Sequence, residues 1–295
     1  MRLLFKASLN RKISCGSSLK RNTDVLQIPQ NLLTLVFPAK CLGCEKELSN
    51  PSRPNSSFSN DREQSDREPT KLGFDFLGTL DHHWCRDCWR SLSVDDAQRC
   101  TKCGATLTHH NPYDGSCALC HEHDLRFEQA VAIGNYRGML QELVIRMKNQ
   151  HLEQMAIQLG TVLAFQVSQS NFFDDLDLVV PIPTHWLRRV QRGFHAAEVI
   201  AESVAYACEL QTSSQVLHLV RTTKKQGTLS TAGRFKNVRN AFVVRPKATV
   251  KGLTVLLVDD VMTSGATASE AARILLKAGA AKVYIGVIAR GARVS

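Results

Sequence analysis

The second half of the chain alternates between continuous apolar runs and stretches whose apolar residues recur at helical spacing. Continuous runs are typical of strands buried on both faces, and they lie at 130–134, 178–183, 254–258 and 283–289, with shorter ones at 216–220 and 241–244. Helices are expected between them, one or two over 139–169 and one each over 195–209 and 266–278. Gly279 then ends the last helix. This alternation predicts an α/β fold with a doubly wound, mainly parallel sheet.

The first half of the chain lacks this alternation. Residues 1–31 are basic and without periodicity, which predicts a disordered leader; the lack of acids before Asp24 leaves a mitochondrial transit peptide as the alternative. Residues 49–71 are rich in Ser, Pro, Asn and charge, so we expect a disordered insert. The predicted organisation is therefore a leader over 1–31, a small cysteine-rich module over 32–125 that contains this insert, and the α/β domain over 126–295.

Positive charge is concentrated in one part of the chain. The formal net charge is +10, and residues 181–251 hold twelve Lys or Arg against only three acids, Glu198, Glu202 and Glu209. Such a segment attracts anions, either the phosphates of a small substrate or a nucleic-acid backbone.

Cysteine usage indicates the cellular compartment. Eight of the ten cysteines lie in four Cys-x-x-Cys pairs, and no apolar core with a small-residue cleavage site marks a secretory signal. In a reducing compartment such pairs usually hold metal rather than form disulfides. No apolar run reaches the ~18 residues that a membrane span needs. The sequence therefore predicts a cytoplasmic protein without a membrane span.

The four pairs predict two closed structural zinc sites, because four thiolates satisfy a tetrahedral zinc ion. In chain order, one site takes Cys41, Cys44, Cys85 and Cys88, and the other takes Cys100, Cys103, Cys117 and Cys120. An interleaved pairing of the Cys-x-x-Cys units is the alternative. Gly43 and Gly104 suit the tight turns around the metals. Nearby histidines are surplus to eight thiolates and are expected at the surface, namely His82, His83, His109, His110, His121 and His123.

The strongest motif follows the apolar run at 254–258. Two adjacent acids are followed by a small polar loop, so that the candidate site residues are Asp259, Asp260, Thr263, Ser264, Gly265, Ala266 and Thr267. Ligands bind beyond the carboxyl ends of strands in open α/β sheets, and a helix that begins near Ala266 directs free N–H groups at a phosphate. The acids cannot bind phosphate directly, so ribose hydroxyls or a nearby Mg²⁺ suit them. The motif favours a binding site over the alternative, an ordinary turn with a helix-capping residue.

The stretch VLLVDDVMTSGAT resembles the motif with which type I phosphoribosyltransferases bind 5-phosphoribosyl-1-pyrophosphate (PRPP). The wider match follows the order of ComF-family proteins: Tyr136-Arg137-Gly138 with Lys148, then VVPIPTHWLRRVQRGFHAAEVIA, then LVRTTKKQGTLSTAGRFKNVRNAF. It covers about residues 32–292 apart from the insert. The resemblance implies a type I phosphoribosyltransferase fold preceded by a double zinc ribbon, in a ComFC-like protein linked to DNA uptake. His195 departs from the family, which usually has Asn there.

The resemblance also implies how the pyrophosphate of PRPP is held. Type I enzymes hold it at a loop after a strand, and Thr184 and His185 match the position of that loop. Arg188 and Arg192 follow closely and carry the charge that pyrophosphate oxygens require. A solvated basic helix face is the alternative for these arginines.

Residues 221–239 form a second basic segment, which contains Lys224, Lys225 and Arg234. Its composition predicts a mobile loop, and the resemblance makes it the lid that closes over PRPP. The implied reaction is displacement at the ribose C1 carbon by a nitrogen nucleophile, with Mg²⁺ and basic groups stabilising the departing pyrophosphate. No residue stands out as a general base.

Three functions compete on these grounds. The first is a pentosyltransferase that moves phosphoribose to an amine or nucleobase, and the second is a protein that handles single-stranded DNA on the same fold. The third is a PRPP sensor without turnover. The expected partners are PRPP with Mg²⁺ for the first and third functions, and single-stranded DNA or the helicase machinery of DNA uptake for the second. A homo-oligomer is a separate alternative that the sequence leaves open. No motif in the sequence identifies the substrate that would accept the phosphoribose.

Overall fold

A five-stranded parallel sheet forms the centre of the fold in a computed structural model of the chain. The structure describes residues 40–48, 83–93, 98–107, 113–150, 152–184, 194–223, 229–246 and 248–291. The strands of the sheet are β1 (Ala130–Asn135), β2 (Leu178–Pro181), β3 (Gln211–Thr212), β6 (Thr254–Met262) and β7 (Lys282–Arg290). They lie in the order β1-β7-β6-β2-β3, and every neighbouring pair is parallel. The predicted parallel sheet is therefore confirmed.

Helices cover both faces of the sheet. In chain order, those of the α/β domain are α3 (Gly138–Asn149), α4 (Glu153–Ser168), α5 (Ala196–Ala207), α6 (Thr231–Val238) and α7 (Ala266–Lys277). Successive strand residues point to opposite faces. Leu256 and Val258 accordingly join the apolar cluster under α3, α4 and α5, whereas Val255 and Leu257 join the cluster under α7. This two-sided burial explains why β6 is apolar from Val255 to Val258 and confirms the doubly wound architecture.

The basic segment beside the sheet is more ordered than its composition predicts. Two short strands, β4 (Leu217–Leu219) and β5 (Phe242–Val244), pair antiparallel in a separate small sheet. Between them, α6 begins at Thr231, and the Ser230 hydroxyl caps it by accepting a hydrogen bond from the Gly233 N–H. The prediction of a mobile loop over 221–239 is thus wrong for α6, while residues 224–228 lie outside the described part.

The cysteine module comprises the described residues of 40–123. It contains α1 (Arg86–Ser93), α2 (Ala118–Glu122) and two isolated antiparallel bridges, Lys40–Glu47 and Arg99–Thr106. The module packs at the edge of the sheet formed by β1, where the Ala130 N–H donates to the Lys102 carbonyl over 2.8 Å. The predicted leader and the insert at 49–71 lie outside the described residues, so the boundaries proposed for the three regions stay predictions. Among the described helices, none is both long and apolar enough to span a membrane.

Candidate functional site

The predicted site lies at the carboxyl end of β6, and it starts inside the strand. The acids at 259 and 260 were expected beyond the strand end, but the ladder with β7 continues to the pair Met262–Arg290. Gly265 then adopts a left-handed conformation with φ 74°, and α7 begins at Ala266 as predicted. A residue with a side chain is strained at this φ. The strand, the turn and the helix start therefore lie next to one another, which is the arrangement that cradles an anion.

The two carboxyl groups of this strand end have different surroundings. The Asp260 carboxylate forms an ion pair with Lys148, with 2.8 Å between Oδ2 and Nζ, and both side chains are largely buried. Burial raises the pKa of the Asp259 carboxyl to about 7, and the charge of Asp260 adds to the rise. The Asp260 N–H, which donates to Asp259 Oδ1 over 2.9 Å, opposes it. A hydroxyl-rich ligand would therefore meet one carboxyl group that is paired with a lysine and one that ionises near neutral pH.

Two further elements reach the same edge of the sheet. The β2 residue Pro181 pairs in register with Val258, so Thr184, three residues later, follows a strand end beside the acids. From α6, the Arg234 guanidinium donates to the Thr263 hydroxyl over 3.1 Å. The structure thus brings Arg234 to the segment 259–267. The other predicted site residues, His185, Arg188, Arg192, Lys224 and Lys225, lie outside the described part.

Open space at the site is unevenly distributed. The cleft against Thr263 and Gly265 measures about 30 Å³, close to the ~30 Å³ that one water molecule occupies in the liquid. A cavity of about 560 Å³ extends from Pro181 and Thr184 to Arg221 and Arg245. That volume is in the range of small-molecule sites. The lining of this cavity includes Pro181, which pairs with Val258 of β6, but no residue of the segment 259–267.

Sulfur geometry groups the cysteines into the two tetrads that chain order predicts. The first tetrad is Cys41, Cys44, Cys85 and Cys88, the second is Cys100, Cys103, Cys117 and Cys120, and each has its Sγ atoms within 4.8 Å of one another. Three Sγ–Sγ distances are 3.7 Å for Cys44–Cys85, 3.8 Å for Cys100–Cys120 and 3.5 Å for Cys103–Cys117. A tetrahedron with metal–sulfur bonds of about 2.3 Å has edges of about 3.8 Å. Each tetrad could therefore hold a zinc ion, and the interleaved pairing is wrong.

Crowding of four sulfurs also changes their acidity. In the second tetrad, hydrogen bonding from Cys103 lowers the pKa of the Cys100 thiol, whereas the Cys100 side chain raises that of Cys120. Four neighbouring thiolates repel one another, and a bound cation would remove that repulsion. The donor set thus fits a thiophilic dication.

Backbone turns hold the tetrads tightly. A Cβ on Gly43 would lie 2.6 Å from the Cys88 sulfur, and Gly104 has φ 67° with the Ala130 carbonyl 3.1 Å from where its Cβ would be. Both glycines therefore suit the turns as predicted. Of the histidines expected at the surface, His121 is exposed and stacks on Tyr113, whereas His83 and His123 are half-buried and His123 stacks on Phe235. His82, His109 and His110 lie outside the described residues.

Sequence reasoning missed the buried arginine at the end of β7. Arg290 is 3% exposed and contacts both the second tetrad and the backbone of the segment 259–267. The sequence feature that could have identified it is a cationic residue directly after the apolar run 283–289. The ion pair of Lys148 was missed as well, although this lysine belongs to the motif that carried the resemblance.

Comparison with known proteins shows which of them this chain is similar to. The profile described as "Phosphoribosyl transferase domain" matches residues 152–293. The "DNA utilization protein YhgH" of Salmonella typhimurium is 30% identical over 213 residues, which cover 70% of this chain and 91% of that protein. "Competence protein F" of Haemophilus influenzae is 27% identical over 210 residues, covering 70% and 90%. Among solved structures, glutamine PRPP amidotransferase from B. subtilis, complexed with ADP and GMP, aligns at 22% identity and a TM-score of 0.33, covering 50% of this chain and 30% of that one.

Proposed function

This chain belongs to the ComF family, and from that premise we propose that its α/β domain binds PRPP, as the Mg²⁺ complex, at the segment 259–267. The observation that carries the proposal is the convergence of two carboxyl groups, a left-handed glycine and a helix N-terminus at one strand end. The carboxyl groups can accept hydrogen bonds from the ribose hydroxyls, and the glycine turn and helix N-terminus can bind the phosphate. The same site in a PRPP sensor would bind without turnover.

The parts of PRPP are assigned by charge. The 5-phosphate is placed at the turn Thr263–Thr267, where the first N–H groups of α7 and the Thr263 hydroxyl donate. The ribose 2′- and 3′-hydroxyls are placed against Asp259 and Asp260, because a carboxylate accepts hydrogen bonds and repels phosphate. Lys148 holds the Asp260 carboxylate in place through their 2.8 Å ion pair.

Catalysis would take place over the end of β2. The pyrophosphate is placed at the loop that begins with Thr184, and the 560 Å³ cavity beside it offers room for a nitrogen acceptor. The ring nitrogen or amine of the acceptor would attack ribose C1 as the C1–O bond to pyrophosphate breaks, and the proton that the nitrogen loses would pass to the departing pyrophosphate, whose charge Mg²⁺ would stabilise. Arg234, which already donates to Thr263, is suited to holding the basic segment closed during this step.

The two tetrads are proposed to bind one zinc ion each. Four cysteine ligands leave no open position for a substrate, so both sites are structural. The metal then contributes to folding of the cysteine module rather than to the chemistry.

A DNA-handling function is the second candidate. It is favoured by the names of the two relatives, which refer to DNA utilization and competence. Among the described residues of 181–251, Lys236, Arg239 and Arg245 are exposed and available to a phosphate backbone. Cytoplasmic location and a role beside the helicase of DNA uptake would accompany this function.

Calorimetric titration of the zinc-loaded chain separates the candidates. The titrants are PRPP with Mg²⁺, ribose 5-phosphate with Mg²⁺ and a short single-stranded oligonucleotide. Our proposal expects saturable binding of PRPP that is tighter than binding of ribose 5-phosphate, because the pyrophosphate adds contacts. Binding of the oligonucleotide with no binding of PRPP would instead favour the DNA-handling function. Pyrophosphate release in the presence of amines or nucleobases then distinguishes an enzyme from a sensor.

A further inference from the structure

Arg290 lies between the second tetrad and the segment 259–267. It is the last residue of β7, opposite Asn135 of β1 and Met262 of β6. Its side chain is inside the protein, where an arginine is rarely found without a partner. Every polar contact it makes is therefore informative about what this position does.

One side of the guanidinium faces the second tetrad. Its Nε donates to the Cys103 carbonyl over 2.9 Å, and its Nη2 lies 3.4 Å from the Cys103 sulfur. Among the described residues, no carboxylate forms an ion pair with Arg290. A buried cation needs an anionic partner. Four thiolates around a zinc dication leave a net negative charge, so the metal-loaded tetrad supplies that partner.

The other side of the guanidinium holds the start of the segment 259–267. Its Nη1 donates to the carbonyls of Met262 over 2.9 Å, of Thr263, and of Gly291 over 3.0 Å. The Gly291 N–H in turn donates to Met262 over 2.8 Å. These carbonyls immediately precede the turn at Gly265 that is proposed to receive phosphate. The position of that turn therefore depends on where the guanidinium is held.

We propose that Arg290 is a positioning residue that couples metal occupancy of the second tetrad to the phosphate-binding turn. With metal bound, the negative tetrad anchors the guanidinium, which fixes the carbonyls of Met262 and Thr263. Without metal, the cysteine turn that holds the guanidinium through the Cys103 carbonyl and sulfur is no longer fixed, and the phosphate-binding turn loses its anchored donor. The metal-free chain then binds PRPP more weakly, and PRPP tightens binding of the metal by the same free energy. This inference rests on the proposed function and adds regulation to the same site.

The first tetrad provides a matched control. There, Arg146 of α3 donates to the carbonyls of Leu42 and Gly43, each over 3.1 Å, and pairs with Glu45 over 2.7 Å. Its described contacts include none with residues 259–267. Arg146→Lys therefore removes a comparable arginine fork beside a tetrad without touching the phosphate-binding turn.

The experiment uses the full zinc-loaded chain as wild type, Arg290→Lys and Arg146→Lys. Lysine keeps the charge and loses the fork. We measure PRPP affinity by calorimetry, zinc transfer to a chromogenic chelator over time, and amide hydrogen exchange of a peptide covering 259–267 before and after zinc removal. Arg290→Lys should weaken PRPP binding about tenfold, the effect of losing one or two hydrogen bonds to a charged donor. Arg146→Lys should bind PRPP within about twofold of wild type.

Further outcomes decide the inference. PRPP should slow zinc release from wild type and not from Arg290→Lys, and zinc removal should speed amide exchange in the peptide covering 259–267. Equal PRPP affinity of Arg290→Lys and wild type would overturn the coupling, as would unchanged exchange after zinc removal. If wild type binds no PRPP, the proposed function fails, and the exchange measurement alone decides the coupling. If Arg290→Lys does not fold, the zinc-loaded and zinc-free wild type carry the same test.

Discussion

The cysteine module and the α/β domain become ordered by different means. Within the described residues, the module has two short helices and two isolated bridges, and half of its tetrad sulfurs are among its buried side chains. The domain instead buries apolar residues on both faces of β6 and β7. Burial of apolar area stabilises the domain directly, whereas a module of this kind gains its folding free energy from the metal. The difference teaches that one chain can contain two regions with separate requirements for stability.

Removal of one thiolate should have the largest effect, and it should affect the cysteine module while leaving the α/β domain folded. Cys103→Ser opens the second tetrad, so the zinc content should fall from two ions per chain to one, and the module should loosen. A structural zinc ion contributes on the order of 10 kcal/mol of binding free energy to such modules. Metal analysis measures the first effect, and limited proteolysis, with cleavage confined to residues before 126, measures the second.

Cys208→Ser is the control for that variant. Cys208 is buried outside the tetrads, and burial raises the pKa of its thiol to about 12. This substitution should leave the zinc content at two ions per chain. Near-zero zinc in the parent protein, or digestion of the domain together with the module, would contradict the account.

The acidity of Asp259 gives the α/β domain a pH dependence of its own, separate from that of the cysteine module. Its carboxyl has a pKa of about 7 in place of the ordinary 3.8. Hydrogen bonds from ribose hydroxyls favour the ionised form, so PRPP affinity should fall by up to about tenfold per pH unit below pH 7. Without ligand, ionisation of the buried group costs stability, so its contribution to the free energy of unfolding rises as pH falls through 7.

Calorimetry between pH 5.5 and 8, roughly the range that brackets this titration, measures the effect. The phosphates of PRPP also titrate, with a second pKa near about 6 for such groups, so Asp259→Asn serves as the reference. A pH slope of the same size in wild type and Asp259→Asn would rule out Asp259 as its source.

The smallest effect is expected from removing part of the segment between the first two cysteine pairs. Deletion of residues 50–70 should leave zinc content and PRPP affinity unchanged and shift Tm by little, since loop closure costs depend only weakly on length. The Sγ atoms of Cys44 and Cys85, on either side of the segment, lie 3.7 Å apart. Differential scanning calorimetry checks this, and a large fall in Tm would show that the segment packs against the rest of the chain.

Periodicity was enough to predict the elements whose burial is uniform. The strand run at 254–258 and the helix at 266–278 were located within a few residues, because apolar spacing records burial directly. The loop predicted from composition was wrong at α6, because Gly233 and the polar residues around it are not typical of a helix, and Ser230 caps that helix. The capping signal was present in the sequence, but basic charge dominated the interpretation.

The candidate site was predictable only where its residues are adjacent in sequence. The acids, the turn and the helix start form one motif, and the cysteine pairs follow a simple ligand spacing. Lys148 and Arg290 instead reach the site from other elements. Lys148 lies 112 positions before Asp260 in the sequence, and Arg290 lies 30 positions after it. Contacts of that kind depend on how α3 and β7 pack, which no local pattern records.

The central claim, that Asp259 and Asp260 hold the ribose of PRPP, is tested most directly by calorimetry of Asp259→Asn/Asp260→Asn. Asp177→Asn is the matched control, since its side chain accepts from the Thr254 N–H at the opposite end of β6. The double variant keeps the shape of the site and should fold. It should lose at least about tenfold in PRPP affinity, because hydrogen bonds to charged groups contribute ~1.5–3 kcal/mol each. Oligonucleotide binding should not weaken. PRPP affinity equal to that of wild type and Asp177→Asn would contradict the account.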